Sequence, residues 1–179
     1  MLTQFIKHRF YNFGKSKIIF PFKTKLEHMI SIGDGTIINK YGWIQGQNVC
    51  NKDSHHDGLA ITIGNNCYIG HHVHIIGSSS IIIEDNVLIA DRVFLQDCSH
   101  SWEDVTTPIK DQPIKFIGEI KIKSGSWIGE NVTILPRVTI GKNSIVGANS
   151  VVTKSVPDYS IAVGNPAKII KNYNFENKK

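Results

Sequence analysis

The stretch IKSGSWIGENVTILPRVTIGKNSIVGANSVVTKSVP, residues 122–157, carries an aliphatic residue at every sixth position: Ile122, Ile128, Ile134, Ile140, Val146 and Val152. Four residues after each stands a small or β-branched one, namely Ser126, Val132, Val138, Ser144, Ser150 and Val156. A period of six matches neither an amphipathic helix nor a half-buried strand. It is the signature of a hexapeptide β-helix, in which three hexads close one coil of a triangular prism. A bare prism has little chemistry of its own, so the acting residues are expected where the period is interrupted.

The same template fits Ile32 and Ile38, then Ile63, Ile69 and Ile75, then Ile83, Ile89 and Leu95, with Thr36, Gly42, Cys67, Val73, Ser79, Val87, Val93 and Ser99 as small partners. Register is lost at the polar insertion NVCNKDSHHDG after Ile44, at two extra residues between Ile75 and Ile83, and at a longer excursion containing HSWEDVTTPIKDQP. Pro108, Pro113 and the charges between Trp102 and Asp111 argue against a strand ladder there, so that segment reads as an extruded loop at about 100–119. Glycine follows the aliphatic residue at Gly33, Gly64, Gly70, Gly129, Gly141 and Gly147, which suggests corners needing backbone freedom. Residues 1–30 read as an N-terminal extension, 31–157 as the β-helix and 158–179 as a C-terminal segment of one domain.

Composition fits a soluble globular chain: 41% hydrophobic, 20% charged, net charge +5. No apolar run is long enough to span a bilayer, and the N-terminus lacks a signal-peptide core, so a cytoplasmic location is expected. Cys50, Cys67 and Cys98 have no CxxC spacing, which removes a disulfide framework and a zinc knuckle. No basic groove with interleaved stacking residues supports nucleic-acid binding. Leu2, Phe5, Ile6, Phe10 and Phe13 share one helical face with Lys7, Arg9, Lys15 and Lys17 elsewhere, the pattern of a short amphipathic helix that caps the prism or touches an anionic membrane peripherally. PAKIIKN after Gly164 reads as a second short helical segment, and five lysines from Lys154 onward favour an anionic ligand there.

With the aliphatic residue and its partner inward, the sixth residue of each hexad points outward. Trp43, Tyr68, His74, Phe94, Trp127 and His100 occupy such positions, and rows of exposed rings favour association with further copies of the chain. His100 stands where coil meets loop, beside Asp97, Glu103 and Asp104. An imidazole there suits a general base, with a carboxylate to fix its tautomer, although spacing does not say which.

The segments SWIGENVTILPRVTIGKNSIVGANSVVTKSVP and AVGNPAKIIK, with DCSH before the loop, resemble the hexapeptide-repeat acyltransferases, specifically O-acetyltransferases of the maltose, galactoside and surface-polysaccharide type. The resemblance runs from about Ile32 to Asn172. It implies an all-β, left-handed parallel β-helix, a handedness that the period of six does not reveal. It implies a homotrimer with active sites between subunits, acetyl-CoA as co-substrate and no metal. His100 is then the catalytic base; Asp97, Glu103, His72 and His74 orient it or touch the acceptor; Gly129, Ala148, Thr153, Lys154, Pro166, Lys168 and Lys171 contact the coenzyme. The implied acceptor is a sugar hydroxyl of a lipopolysaccharide, capsule or related surface glycan. IGHHVHIIG, residues 69–77, lacks the asparagine of the relatives that acetylate small free sugars.

Other readings remain open at this level. An antibiotic O-acetyltransferase and an amino-sugar-nucleotide N-acetyltransferase share the same coil. A γ-type carbonic anhydrase shares it too, but no pair among His55, His56, His71, His72, His74 and His100 has that family's spacing. His55, His56 and Asp57 form a candidate metal cluster in a polar insertion. Cys98 and His100 suggest a nucleophile and base pair, yet the family that the chain resembles uses no acyl-cysteine.

Overall fold

The computed structural model describes residues 6–49 and 58–173. The candidate metal cluster at His55, His56 and Asp57, with Cys50, lies outside the described residues, as does Phe5.

The chain winds into a left-handed parallel β-helix. Each coil gives one short strand to each of three parallel sheets. The first coil is Asn12–Phe13, Lys17–Ile18 and Lys23–Lys25; the second is Ile30–Ile32, Ile37–Ile38 and Trp43–Gly46. The third is Ile61–Ile63, Tyr68–Ile69 and His74–Gly77, and the fourth Ile81–Ile83, Leu88–Ile89 and Phe94–Gln96. Ile120–Ile122, Trp127–Ile128 and Thr133–Ile134 form the fifth; Thr139–Ile140, Ile145–Val146 and Val151–Val152 form the sixth.

The hexads stack in register, so one column of each sheet is a ladder of like side chains. Ile69, Ile89, Ile128 and Val146 lie one above another in the second sheet, and Ile75, Leu95, Ile134 and Val152 in the third. All eight are at most 1% exposed. The partners four residues on are inside as well, with Ser126, Ser144 and Ser150 at 0–1%. Their hydroxyls are satisfied by backbone: Ser126 Oγ donates to the Gly141 carbonyl at 2.7 Å and Ser144 Oγ to the Pro157 carbonyl at 2.6 Å.

The corners correct the reading of the glycines. Gly33, Gly64, Gly70, Gly129, Gly141 and Gly147 are not among the positive-φ residues; that conformation falls instead on Asn66, Asn86, Asn131, Asn143 and Asn149, among others. Those glycines are required by closeness. A Cβ on Gly141 would lie 2.2 Å from the Asp158 nitrogen and 2.3 Å from the Pro157 carbonyl carbon, and one on Gly70 2.6 Å from the carbonyl carbon of Ala90.

Three boundaries differ from expectation. Coiling begins at Asn12, because Phe13, Ile18 and Thr24 pair with Ile32, Ile38 and Ile44. Among the described residues the N-terminal segment is therefore a 3-10 turn at Lys7–Arg9 followed by the first coil, with Phe10 buried on the core; Leu2, where the expected helix would start, lies outside the described residues. The C-terminal segment is a strand too: Ser160–Gly164 joins the second sheet and Ala167–Asn172 folds back against it antiparallel. Finally, the excursion is an arm with a short ladder at its root. Cys98–His100 pairs antiparallel with Ile114–Phe116, and the prolines that argued against a ladder lie outside the paired residues.

Candidate active site

His100 ends the inner strand of this arm, exposed, while Cys98 two residues earlier is buried. The imidazole Nδ1 lies 3.2 Å from the main-chain carbonyl oxygen of Gln112. A carbonyl only accepts, so this contact puts the proton on Nδ1 and leaves the Nε2 lone pair free. Gln112 is held in turn: its buried side-chain amide donates to the carbonyls of Asp104 at 2.7 Å and Thr107 at 2.8 Å, tying the 3-10 turn Ile109–Asp111 to the opposite limb of the arm.

The carboxylates expected to orient His100 are engaged elsewhere. Asp97 is fully buried. Its Oδ1 accepts from the Ser78 nitrogen at 2.7 Å and the Ser78 hydroxyl at 2.8 Å, and its Oδ2 from the nitrogens of Ser79 at 2.9 Å and Ser80 at 2.8 Å. The two extra residues between Ile75 and Ile83 thus wrap around this carboxylate. Its main-chain carbonyl also receives the Ile117 nitrogen at 2.9 Å, fastening the arm where it rejoins the prism. Glu103 pairs with Lys115, whose ammonium lies 4.4 Å from the Trp102 ring centroid; that pairing holds the Glu103 carboxyl below its ordinary range. Asp104 caps Thr106, accepting from its nitrogen at 2.8 Å, and its carboxyl is lowered to about 2, chiefly by the Thr106 hydroxyl.

Cys98 is not placed for nucleophilic work. Burial, aided by the Asp97 charge, pushes its thiol up to about 11, which leaves almost no thiolate near neutral pH.

The histidines before the arm separate into distinct roles. His71 pairs with Asp91, Nδ1 to Oδ1 at 3.4 Å. His72 stacks on Tyr41 with centroids 4.9 Å apart, and His74 on Trp43 at 4.5 Å. Burial lowers the His74 pKa, so the ring is neutral near pH 7.

Around the last coils, Ala148, Thr153, Lys154, Pro166, Lys168 and Lys171 are exposed. Gly129 is not. It is buried, and a Cβ there would lie 2.7 Å from the Ala148 nitrogen. Its part is to let the next coil close down. Ala148 opens onto a 290 Å³ cleft with Arg92, Glu130, Asn131 and Asn149. Among the described residues no group of three or more His, Cys, Asp or Glu side chains is arranged to hold a metal ion.

Residues 119–154 match the bacterial transferase hexapeptide model of six repeats. The chain carries the bacterial transferase hexapeptide repeat. A protein of Escherichia coli K12 named for lipopolysaccharide biosynthesis O-acetyl transfer, WbbJ, is 38% identical over 124 residues, 66% of this chain and 63% of that one. A hexapeptide-repeat acetyltransferase of Vibrio cholerae, solved with acetyl-CoA, has a TM-score of 0.61 at 29% identity, covering 96% of this chain and 76% of that one. AntD, an N-acyltransferase of Bacillus cereus solved with dTDP and 3-hydroxybutyryl-CoA, has a TM-score of 0.77 over 97% of this chain and 89% of that one; at 24% identity it speaks for the fold. The chain covers 30% to 63% of the length of the first curated relatives it matches.

Proposed function

We propose that this protein transfers an acetyl group from acetyl-CoA to a sugar hydroxyl in the synthesis of a surface glycan, with His100 as general base. The observation that carries the reading is the Nδ1 contact of His100 with the Gln112 carbonyl, which presents a free Nε2 lone pair to solvent at the root of the arm. Nε2 takes the proton of the acceptor hydroxyl as its oxygen bonds to the thioester carbonyl carbon; the C–S bond then breaks and the thiolate leaves, taking the proton from the imidazolium. No protein nucleophile is needed, in keeping with the raised thiol of Cys98. The similarity to acetyltransferases, one of them solved with acetyl-CoA, supports the donor.

Ala148 and Thr153 suit the pantetheine arm because a small or short side chain lets a ligand approach the corner backbone, and Lys154, Lys168 and Lys171 suit its phosphates as point charges, with Pro166 shaping the turn between. Association into a homotrimer is supported by the exposed outward column Ile37, Tyr68, Leu88 and Trp127 of the second sheet, 38–48% exposed, and by Val105 at the arm tip, 95% exposed. The reading places the protein in the cytoplasm or peripherally at the membrane; no helix among the described residues is long and apolar enough to cross a bilayer.

The test is His100→Ala. Acetyl transfer should fall by about 10²- to 10⁴-fold while acetyl-CoA affinity stays within about threefold. Near-normal turnover would remove His100 from the reaction.

A further inference from the structure

The first coil holds the chain's excess positive charge. The sequence has 20 lysines and arginines against 15 acids, and six of the 20 but none of the 15 stand in residues 1–26, which leaves 14 against 15 in the rest. The six, Lys7, Arg9, Lys15, Lys17, Lys23 and Lys25, are all exposed. Solubility is served by both signs interspersed, so one sign over a whole coil is a property of this surface in particular.

The strands Asn12–Phe13, Lys17–Ile18 and Lys23–Lys25 are the end strands of the three sheets, so this coil closes one end of the prism. Phe10 plugs the core there, 6% exposed and 5.3 Å from the Phe13 ring. Lys17 lies on the second sheet and Lys23 and Lys25 on the third, at one level along the prism axis because all belong to one coil. A small anion reaches one face of a prism and leaves the cations of the other faces in water. A flat anionic surface laid across the end meets them together.

The same end is apolar between its charges. Arg9, Lys23 and Lys25 rim a 470 Å³ recess walled by Ile6, Phe20 and Phe22, and Tyr11 is 62% exposed. Aromatic rings among cations suit the headgroup layer of a bilayer, where the ring sits at the boundary and the cation meets a phosphate. A nucleic acid strand is bound by cations that track a groove, whereas these surround an end face. Charge on end strands also keeps copies from pairing edge to edge, a role that needs charge but not six of one sign.

We propose that this end face docks on the anionic headgroups of a membrane, with the prism standing on the bilayer. The strand Phe94–Gln96, which leads through Asp97 to His100, belongs to the fourth coil. It then stands three coil rises, about 14 Å, above the first. Sugars displayed on a lipid carrier rise from the bilayer in the same direction as the coils, so docking brings His100 to an acceptor that does not leave the membrane. As a statement about the acceptor the proposal rests on the transferase reading; as a statement about the surface it stands alone.

Co-sedimentation of the full chain with lipid vesicles tests it without any turnover. Vesicles of phosphatidylcholine and phosphatidylglycerol in equal parts should bind the protein at least about ten times more tightly than phosphatidylcholine alone, and binding should weaken as salt rises. Lys17→Gln, Lys23→Gln and Lys25→Gln together should weaken it about 100-fold, at about fivefold for each cation. The same change at Lys121, Lys123 and Lys142, around the fifth and sixth coils, should leave it within about twofold. On the parent chain the mixed vesicles should slow amide exchange at residues 7–25 and leave residues 139–152 unchanged, which locates the surface even if the first triple variant fails to fold. Equal binding to phosphatidylcholine vesicles, equal loss in the two triple variants, or protection outside 7–25 alone overturns the proposal. Failure to bind the mixed vesicles at low salt overturns it also. DNA binding tighter than vesicle binding, and lost with Lys17, Lys23 and Lys25, would give the end face to nucleic acid instead. Acetyl transfer without vesicle binding sinks the docking alone, whereas vesicle binding without acetyl-CoA binding sinks the transferase reading and keeps the docking.

Discussion

Asp97→Ala is expected to destabilise the protein more than any change at an exposed carboxylate. Three backbone N–H groups, those of Ser78, Ser79 and Ser80, and the Ser78 hydroxyl all terminate on this carboxylate. The hydroxyl is free to rotate; the N–H groups sit in buried residues and have nowhere to turn. At about 1–3 kcal/mol for each buried donor left unsatisfied, the gross loss is roughly 3–9 kcal/mol. Removing the buried charge returns part of its desolvation penalty, which leaves a net loss of about 3–5 kcal/mol. For a chain of this size that corresponds to a melting temperature lower by roughly 6–20 °C. The assay is thermal and urea unfolding at fixed protein concentration, followed by far-UV circular dichroism, with Asp97→Asn alongside. The amide keeps one acceptor oxygen, so its loss should fall between parent and Ala. A midpoint drop below about 2 °C for Asp97→Ala would refute the view that this carboxylate organises two of the three breaks in the coil.

Three further outcomes follow from the same geometry. Gln112→Ala removes two amide donations inside the arm; steady-state kinetics should show turnover reduced about tenfold or more with acetyl-CoA affinity retained, and amide exchange at 101–113 should quicken. Gly141→Ala drives a Cβ to within 2.2–2.4 Å of the backbone of Pro157 and Asp158, and unfolding should register a loss of about 1–3 kcal/mol. In a Cys50→Ser background, Cys98, with its thiol near 11, should stay unalkylated by iodoacetamide at pH 8 until the protein is denatured. Only about one part in a thousand is thiolate at that pH, and the sign is fixed by burial, which disfavours the charged form and so slows reaction.

The hexads of residues 122–157 were legible because a column of the prism repeats one residue class at one spacing, from Ile128 to Val146. The first coil obeys the same pairing but was hidden. Its inward residues Phe13, Ile18 and Thr24 are three different types at spacings of five and six, tolerated where the prism ends and the core thins. PAKIIKN reads in sequence as a short helical segment after the proline; the adjacent Ile169 and Ile170 after a Gly-Asn-Pro turn are the available signal for a returning strand. At the candidate site, the position of His100 was readable from the break in period. The partner of its Nδ1 was not, because a main-chain carbonyl carries no residue-type signature.

By itself, then, the sequence determined the period, and through it the coil, the inward columns and the places where the coil is interrupted. Those follow from local repetition, since each hexad meets only its neighbours above and below. Tertiary structure decided what fills the interruptions. It turned Asp97 inward to hold three serines and left His100 to a carbonyl twelve residues away. It also stacked Tyr41 on His72 and Trp43 on His74 from successive coils. These contacts join residues that are distant in the chain and unlike in type, and only the stacking of coils makes them neighbours.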